Sequence, residues 1–197
     1  GRKMSKSLGN IIDPLTMSEK YGADATRLSL IMGTAPGNDM KLSEDKVRGF
    51  RNFATKLWNI GRFLHMQEAR GLAQTETRLP AGRQGLTRNS NTEDKKNLKE
   101  LATLKKKVTK NIESFKFHDA AYDLYHYTWH RFADKIIESY KPRLQGADKS
   151  DRAAAYHTLE TIFHDTVKML HPFMPFVTEA LHEKLFADHP PLIIAPW

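Results

Sequence analysis

The chain has 197 residues, 40% hydrophobic and 27% charged, which suffices for one sizeable core under a soluble surface. Its formal net charge of +8 suits a polyanionic partner, of which nucleic acid is the commonest. The absence of cysteine excludes disulfides, thiolate catalysis and cysteine-bound zinc, and no apolar run approaches the ~20 residues of a membrane-spanning helix.

Residues 1–10, GRKMSKSLGN, are basic and small and read as a loop. There is no initiator Met and no signal-peptide pattern, so the chain is expected to be cut from a longer one and to work in the cytoplasm. Asp13-Pro14 predicts a helix start, since Asp caps free N–H groups and Pro needs no donor at the first helical position. Gly22 interrupts that helix. A second runs from Ala23 to Met32, with Leu28 and Ile31 on one side, and stops at Gly33. Thr34 to Asp39 is dense in turn residues, and Met40-Lys41-Leu42 could form a short strand.

Ser43 reads as an N-cap followed by Glu44 and Asp45, acids that the helix dipole favours there. Val47, Phe50, Ala54, Leu57, Trp58, Gly61 and Leu64 then recur at helical spacing until the pattern fades near Gly71. Residues 72–92 hold a proline, two nearby glycines and few large apolar residues, and read as a mobile connector.

Three more long helices follow. The first carries Leu98, Leu101, Val108, Ile112 and Phe115 on its apolar stripe and seven lysines elsewhere. The second runs from about His118 to Tyr140, on Ala121, Leu124, Tyr125, Thr128, Trp129, Phe132, Ile136 and Tyr140, and is ended by Pro142 and Gly146. The third runs from about Ser150 to Leu170, where His171-Pro172 breaks it. A shorter fifth helix carries Phe176, Val177, Ala180, Leu181 and Leu185. The expected fold is mainly α, a helix bundle. Trp58, Trp129, Tyr125 and Tyr127 fit its core or half-core.

The strongest chemical signal is Lys3-Met4-Ser5-Lys6-Ser7. It places two ammonium groups three residues apart on a loop of small residues. Such a loop can close over a polyphosphate, the lysines neutralising charge while hydroxyls and backbone N–H groups donate hydrogen bonds. Elsewhere Lys105, Lys106, Lys107 and Lys110 could meet phosphates, and exposed aromatics could stack on splayed bases. His126 and His130 lie one turn apart, and His157, His164 and His171 form a row. HYTWH lacks the Glu of the H-E-x-x-H zinc pattern and no third ligand is evident, so structural or surface roles are expected and no metal site.

In its setting, GRKMSKSLGNIIDP followed by YGADATRLSLIMG, the pentamer resembles the KMSKS signature of class I aminoacyl-tRNA synthetases. The span GTAPGNDMKLSEDKVRGFRNFATKLWNIGRF resembles the valyl members of that family, whereas the isoleucyl and leucyl members share the loop but differ here. FKFHDAAYDLYHYTWHRFADKIIESYKP, LHPFMPFVTEALHEKL and IIAPW extend the resemblance over nearly the whole chain except the connector. One departure is Phe132-Ala133-Asp134-Lys135-Ile136, where valyl enzymes often read F-C-D-W-Y.

The resemblance implies ATP-dependent activation of valine and its transfer to tRNA(Val), with ATP as substrate, Mg2+ expected and no membrane partner. Lys3, Met4, Ser5, Lys6 and Ser7 would bind ATP, and Lys3 and above all Lys6 would act catalytically on the phosphates. The bundle would bind the anticodon arm, with Lys105, Lys106, Lys107 and Lys110 as candidate contacts. The family's H-x-G-H motif is missing, so the chain alone is expected to be inactive. Residues 1–42 are expected to close the catalytic core, 43–186 to form the bundle and 187–197 a terminal connector, in a monomer. The alternatives are a stand-alone RNA-binding module derived from a synthetase, and the same region of an isoleucyl enzyme.

Overall fold

Helix termini set the layout, and four of the helices start where a capping side chain, that of Asp13, Ser43, Asn91 or Asp148, satisfies a free backbone N–H. The computed structural model describes residues 4–9, 11–33, 42–68, 90–186 and 190–197. Helix α1, Pro14–Tyr21, starts where the Asp13 carboxylate accepts from the Leu15 N–H at 3.0 Å and the Thr16 hydroxyl at 3.1 Å. Gly22 ends it at φ 93°, a backbone conformation that costs a side-chain-bearing residue energy but glycine little. Helix α2, Ala23–Ile31, follows at once.

Ser43 Oγ accepts from the Lys46 N–H at 3.2 Å and opens α3, Glu44–Gln67. Its buried face is Val47, Phe50, Phe53, Leu57, Ile60, Gly61 and Leu64. Helix α4, Thr92–Glu113, begins with a reciprocal capping box between Asn91 and Asp94. A continuous rod follows, made of α5, Phe117–His126, a π-helical segment Tyr127–Ile136, and α6, Ile137–Leu144. Helix α7, Lys149–Leu170, is buried along most of its length, and α8, Pro175–Leu185, packs against it and α3. The fold is mainly α, with no strand among the described residues. One apolar core runs from Met17 in α1 through every long helix to Leu192.

Four details depart from the sequence expectation. Phe115 does not extend the α4 stripe: it is 75% exposed at φ 57°, because α4 stops at Glu113 in a Schellman turn. There the Phe115 N–H reaches Ile112 O at 3.0 Å and the Lys116 N–H reaches Asn111 O at 2.8 Å, in a position glycine usually takes. Phe176, 65% exposed, turns outward from the first turn of α8, while Val177 and Leu181 face the core. Pro142 does not end its helix, because α6 continues to Leu144, whose burial and the ion pairs of Arg143 hold the last turn. The π segment, with its wider i→i+5 ring, has no signature in apolar spacing. The proposed strand Met40-Lys41 and most of the connector 72–92 lie outside the described residues, and Leu42 has no regular structure.

At the chain's end Leu192 is buried and its N–H donates to Glu179 at 3.2 Å. Lys168 Nζ donates to Pro196 O at 2.6 Å and Trp197 Nε1 to Thr109 Oγ1 at 2.7 Å, so residues 190–197 strap α7 and α4 together.

The far end of the bundle closes on a buried carboxylate. Asp94, 0% exposed, receives two Arg143 nitrogens at 2.7 and 3.1 Å and the Tyr140 hydroxyl at 2.5 Å. Asn97 Nδ2 donates to that hydroxyl, and Asn97 Oδ1 accepts from Arg131, which also grips Glu100. Arg143 extends the network to Asp151 in α7. Burial pushes the Asp94 carboxyl up, but the Arg143 guanidinium, the Tyr140 hydroxyl and the Asn91 N–H outweigh it and hold the pKa below the usual aspartate value.

Two outcomes follow from this packing. A β-carbon on Gly61 would stand 2.5 Å from Leu181 Cδ2, so Gly61→Ala should cost about 1–3 kcal/mol by forcing α3 and α8 apart; an unchanged urea midpoint would show that α8 yields freely. Because the folded-state pKa of Asp94 is depressed, its contribution is complete above the unfolded value, about 3.9, and is lost as pH falls through the folded one. Asp94→Asn should cost about 3–5 kcal/mol at neutral pH, because the largely buried Arg143 is left with only the more exposed Asp151 to balance it. It should also flatten part of the acid slope in urea titrations, and a slope identical to wild type would remove Asp94 as the acid-labile group.

Candidate phosphate loop and nucleic-acid interface

The loop is a tight turn presented at the surface. Residues Lys6–Leu8 form a single 3-10 turn closed by the Leu8 N–H on Ser5 O at 3.2 Å, and Gly9 leaves it at φ 61°. The Ser5 and Ser7 hydroxyls lie 2.6 Å apart, and Met4 and Leu8 are exposed. Lys3 and the Lys6 side chain lie outside the described residues. The described part therefore offers a hydroxyl pair on an exposed turn that runs, through Ile11 and Ile12, directly into α1.

Helices α1 and α2, which carry this loop, are tied to the bundle by polar contacts. Lys20 Nζ and the Tyr21 hydroxyl both donate to Glu44 at the start of α3. Hydrogen bonding to Lys20 holds the Glu44 carboxyl below its usual pKa, and the same contact raises that of Lys20. Lys46 Nζ donates to Met32 O, and burial lowers its pKa. The Gly33 N–H donates to His118 Nδ1 at 2.9 Å, and Arg27 donates to Pro172 O at 3.1 Å. Asp24, buried in α2, accepts from two N–H groups of α8. A shallow apolar cavity of about 330 Å³ opens beside it, between Tyr21, Ala54, Phe176 and Val177.

The lysine cluster of α4 splits. Lys105 turns toward α7, with Asp165 at 3.8 Å, and Lys107 toward α5, with Asp123 at 2.8 Å. Lys106 and Lys110 stay exposed. Spacings of four, seven and four residues put Lys95, Lys99, Lys106 and Lys110 on one helical stripe, about 22 Å long at 1.5 Å per residue. None of the four makes an ion pair among the described residues. Lys95 and Lys99 belong with the candidates, and their four-residue spacing was the signal that could have found them.

A second feature runs along α5 and the π segment. His118, Tyr122, His126 and His130, every fourth residue, form a partly exposed row of rings with centroids 5.8, 4.2 and 5.2 Å apart. Tyr125 and Trp129 lie half-buried beside it, with Lys56 Nζ 5.7 Å over the Trp129 ring and 3.0 Å from Asp134. Tyr127 is buried, so all four of the aromatics assigned to core or half-core lie there. The row His157, His164 and His171 has local partners: His157 faces Glu160 at 3.3 Å, His164 lies against Phe186, and His171 meets Thr178 at 2.9 Å with its pKa lowered by burial. No group of three His, Asp or Glu residues among the described ones could hold a metal ion.

Comparisons with known proteins cover both the segment that carries the loop and the bundle. The model of the anticodon-binding domain of tRNA ligases matches residues 94–197, and that of class I tRNA synthetases (I, L, M and V) matches residues 1–43. The valine–tRNA ligase of Clostridium tetani is 37% identical over 197 residues, covering all of this chain and 22% of the relative. That of Syntrophotalea carbinolica is 40% identical, covering 98% and 21%, and that of Agrobacterium fabrum 42%, covering 92% and 18%. The chain thus spans about a fifth of the length of these curated relatives. The fold is that of a leucyl enzyme of Agrobacterium radiobacter K84 in ternary complex with tRNA and LeuAMS (TM-score 0.74, 22% identity, 100% of this chain and 22% of that one). It is also that of Mycobacterium tuberculosis methionyl-tRNA synthetase with methionyl-adenylate (TM-score 0.71, 22% identity, 95% and 38%). The chain belongs to the family of tRNA ligases with this anticodon-binding domain.

Proposed function

We propose that this member of the tRNA ligase family is part of a valine–tRNA ligase, a cytoplasmic monomer that uses ATP, with Mg2+ on the nucleotide, to join valine to tRNA(Val). One observation carries the reading: a single stretch of likeness to valine–tRNA ligases, 37% identical over 197 residues, joins the loop signature to the bundle. The first 42 residues end the catalytic core and the bundle from residue 43 holds the RNA. No helix among the described residues is long and apolar enough to cross a membrane.

In this reading the valine carboxylate attacks the α-phosphate of ATP and pyrophosphate leaves; a hydroxyl at the 3′ end of the tRNA then takes the valyl group from the adenylate, and AMP leaves. The loop Lys3-Met4-Ser5-Lys6-Ser7 binds the phosphates. Lys3 and Lys6 offset the charge that builds as the bond to pyrophosphate breaks, and the Ser5 and Ser7 hydroxyls donate to phosphate oxygens. Mg2+ would arrive on the phosphates themselves, as that ion usually does. The open α4 stripe, Lys95, Lys99, Lys106 and Lys110, tracks the phosphate backbone, and the α5 ring row offers π-faces to unpaired bases. Lys105 and Lys107 contribute less, since each already has a carboxylate.

In the complete ligase, Lys6→Ala should lower valine-dependent ATP–pyrophosphate exchange by roughly 10²–10³-fold, the usual worth of one transition-state donor. Near-normal exchange would remove Lys6 from the mechanism. The isolated chain should bind tRNA weakly, and more weakly as salt rises, because each neutralised phosphate releases counterions. Changing Lys95, Lys99, Lys106 and Lys110 together to Ala should flatten the plot of log affinity against log salt, whereas Lys105 and Lys107 to Ala should leave it nearly as steep. Identical slopes for wild type and the fourfold variant would put the RNA on another face.

A further inference from the structure

We propose that Asp24 is a positioning residue, which sets the phosphate loop relative to the RNA-binding bundle by fastening α2 to the first turn of α8. The inference rests on the ligase reading given above. It stands on where the carboxylate goes. Asp24 is 6% exposed, and both of its oxygens are used: Oδ1 accepts from the Phe176 N–H at 3.2 Å and Oδ2 from the Val177 N–H at 2.6 Å.

Those two donors are the first that α8 has. Pro175 opens the helix and has no N–H, and Met174 at the N-cap makes no side-chain bond. The cap that a local Ser or Asp would supply comes instead from a residue about 150 positions earlier in the chain. A carboxylate suits the place because it accepts on both oxygens and its charge complements the positive end of the helix dipole.

The fastening lies on the path from loop to bundle. The loop ends at Gly9, α1 begins at Pro14, and only Gly22 and Ala23 separate α1 from Asp24. Helix α8 is itself fixed on α3 through the close approach at Gly61. Arg27 supports the same joint from the surface by donating to Pro172 O in the α7–α8 turn, and the Gly33 N–H on His118 fixes the other end of α2 to α5. A shift of α8 or of the α7–α8 turn is thereby carried to the two short helices that hold the loop. A capping Asp that served stability alone would affect melting and nothing else.

Asp24→Asn keeps the shape, but it leaves one acceptor and points an amide N–H toward the second donor of α8. Its loosening is read first in the 197-residue chain, by amide hydrogen exchange, which should speed up over residues 14–31 and 176–178 and stay unchanged in α4. The decisive measurement uses the complete ligase well below its melting temperature. Misplacement of the loop should lower kcat for valine-dependent ATP–pyrophosphate exchange by roughly 10–100-fold, while KM for tRNA in charging stays within about twofold. Unchanged kcat with accelerated amide exchange would overturn the inference, as would amide exchange that does not respond. Should Asp24→Asn fail to fold, Arg27→Ala removes the surface contact of the same joint, and the same split in smaller measure supports the inference while an unchanged kcat overturns it. Unsubstituted ligase that neither activates valine nor charges tRNA would fail the ligase reading itself, which is a distinct result from a silent Asp24 variant of an active enzyme.

Discussion

A carboxylate shut away from bulk solvent must find its partners within the protein, and Asp94 shows how much structure that requirement commits. Its oxygens take up Arg143 and Tyr140 from the end of α6, while its place at the third position of α4 answers the Asn91 N–H. Removing Asp94 would leave the buried Tyr140 hydroxyl without its acceptor and the largely buried Arg143 with Asp151 alone. The start of α4, the end of α6 and, through Asp151, the start of α7 are therefore fixed as one unit. Apolar packing along the helices would tolerate small axial slips, but this network does not, since hydrogen bonds weaken steeply with angle and distance.

The opposite end of the bundle uses the same physics with different partners. Asp24 meets the free N–H groups of α8, as Asp94 meets those at the start of its own helix. Both acids are buried at a helix N-terminus, where the dipole and unpaired donors offset their desolvation. Between them the rods α3 and α5–α6 run side by side, joined by Phe50, Phe53, Tyr125 and Trp129 in edge and stacked contacts. The bundle is thus apolar along its length and polar at its ends, which fixes register at both ends and leaves the flanks open for binding.

What could be read beforehand follows from which forces are local. The N-caps at Asp13 and Ser43 and the helices they open were legible because cap, proline and apolar period all lie within a few residues of one another. Phe115 and Phe176 fit the period and yet point to water, because a helix that stops two residues early, or starts with another residue toward the core, turns the ring away. The helix past Pro142 depends on tertiary contacts of Arg143 and Leu144, which apolar spacing does not encode, and the wider ring of the π segment leaves no mark in that spacing either. Asp24 gave no sign either, for its partners stand at the other end of the chain. For the candidate site, the K-M-S-K-S pentamer was plain in the sequence. The lysines were recognised by adjacency, although on a helix adjacency scatters side chains around the axis and a spacing of four gathers them.

That geometry bears on how the proposed interface would divide its work. Charge spread along a stripe about 22 Å long attracts phosphates whatever the sequence, so the α4 lysines can supply affinity but little choice among RNAs. The ring row is different in kind. A base reaches a π-face only if it is unstacked, so rings at four-residue spacing favour single-stranded nucleotides over duplex, whose base edges lie in a deep and narrow groove. Lys56, poised over Trp129 and bonded to Asp134, sets a cation at the border of that row, where a phosphate could displace the carboxylate. A duplex arm lying along α4 and its unpaired loop meeting α5 would then use both surfaces at once, the stripe setting how tightly the RNA is held and the rings favouring unpaired over paired nucleotides.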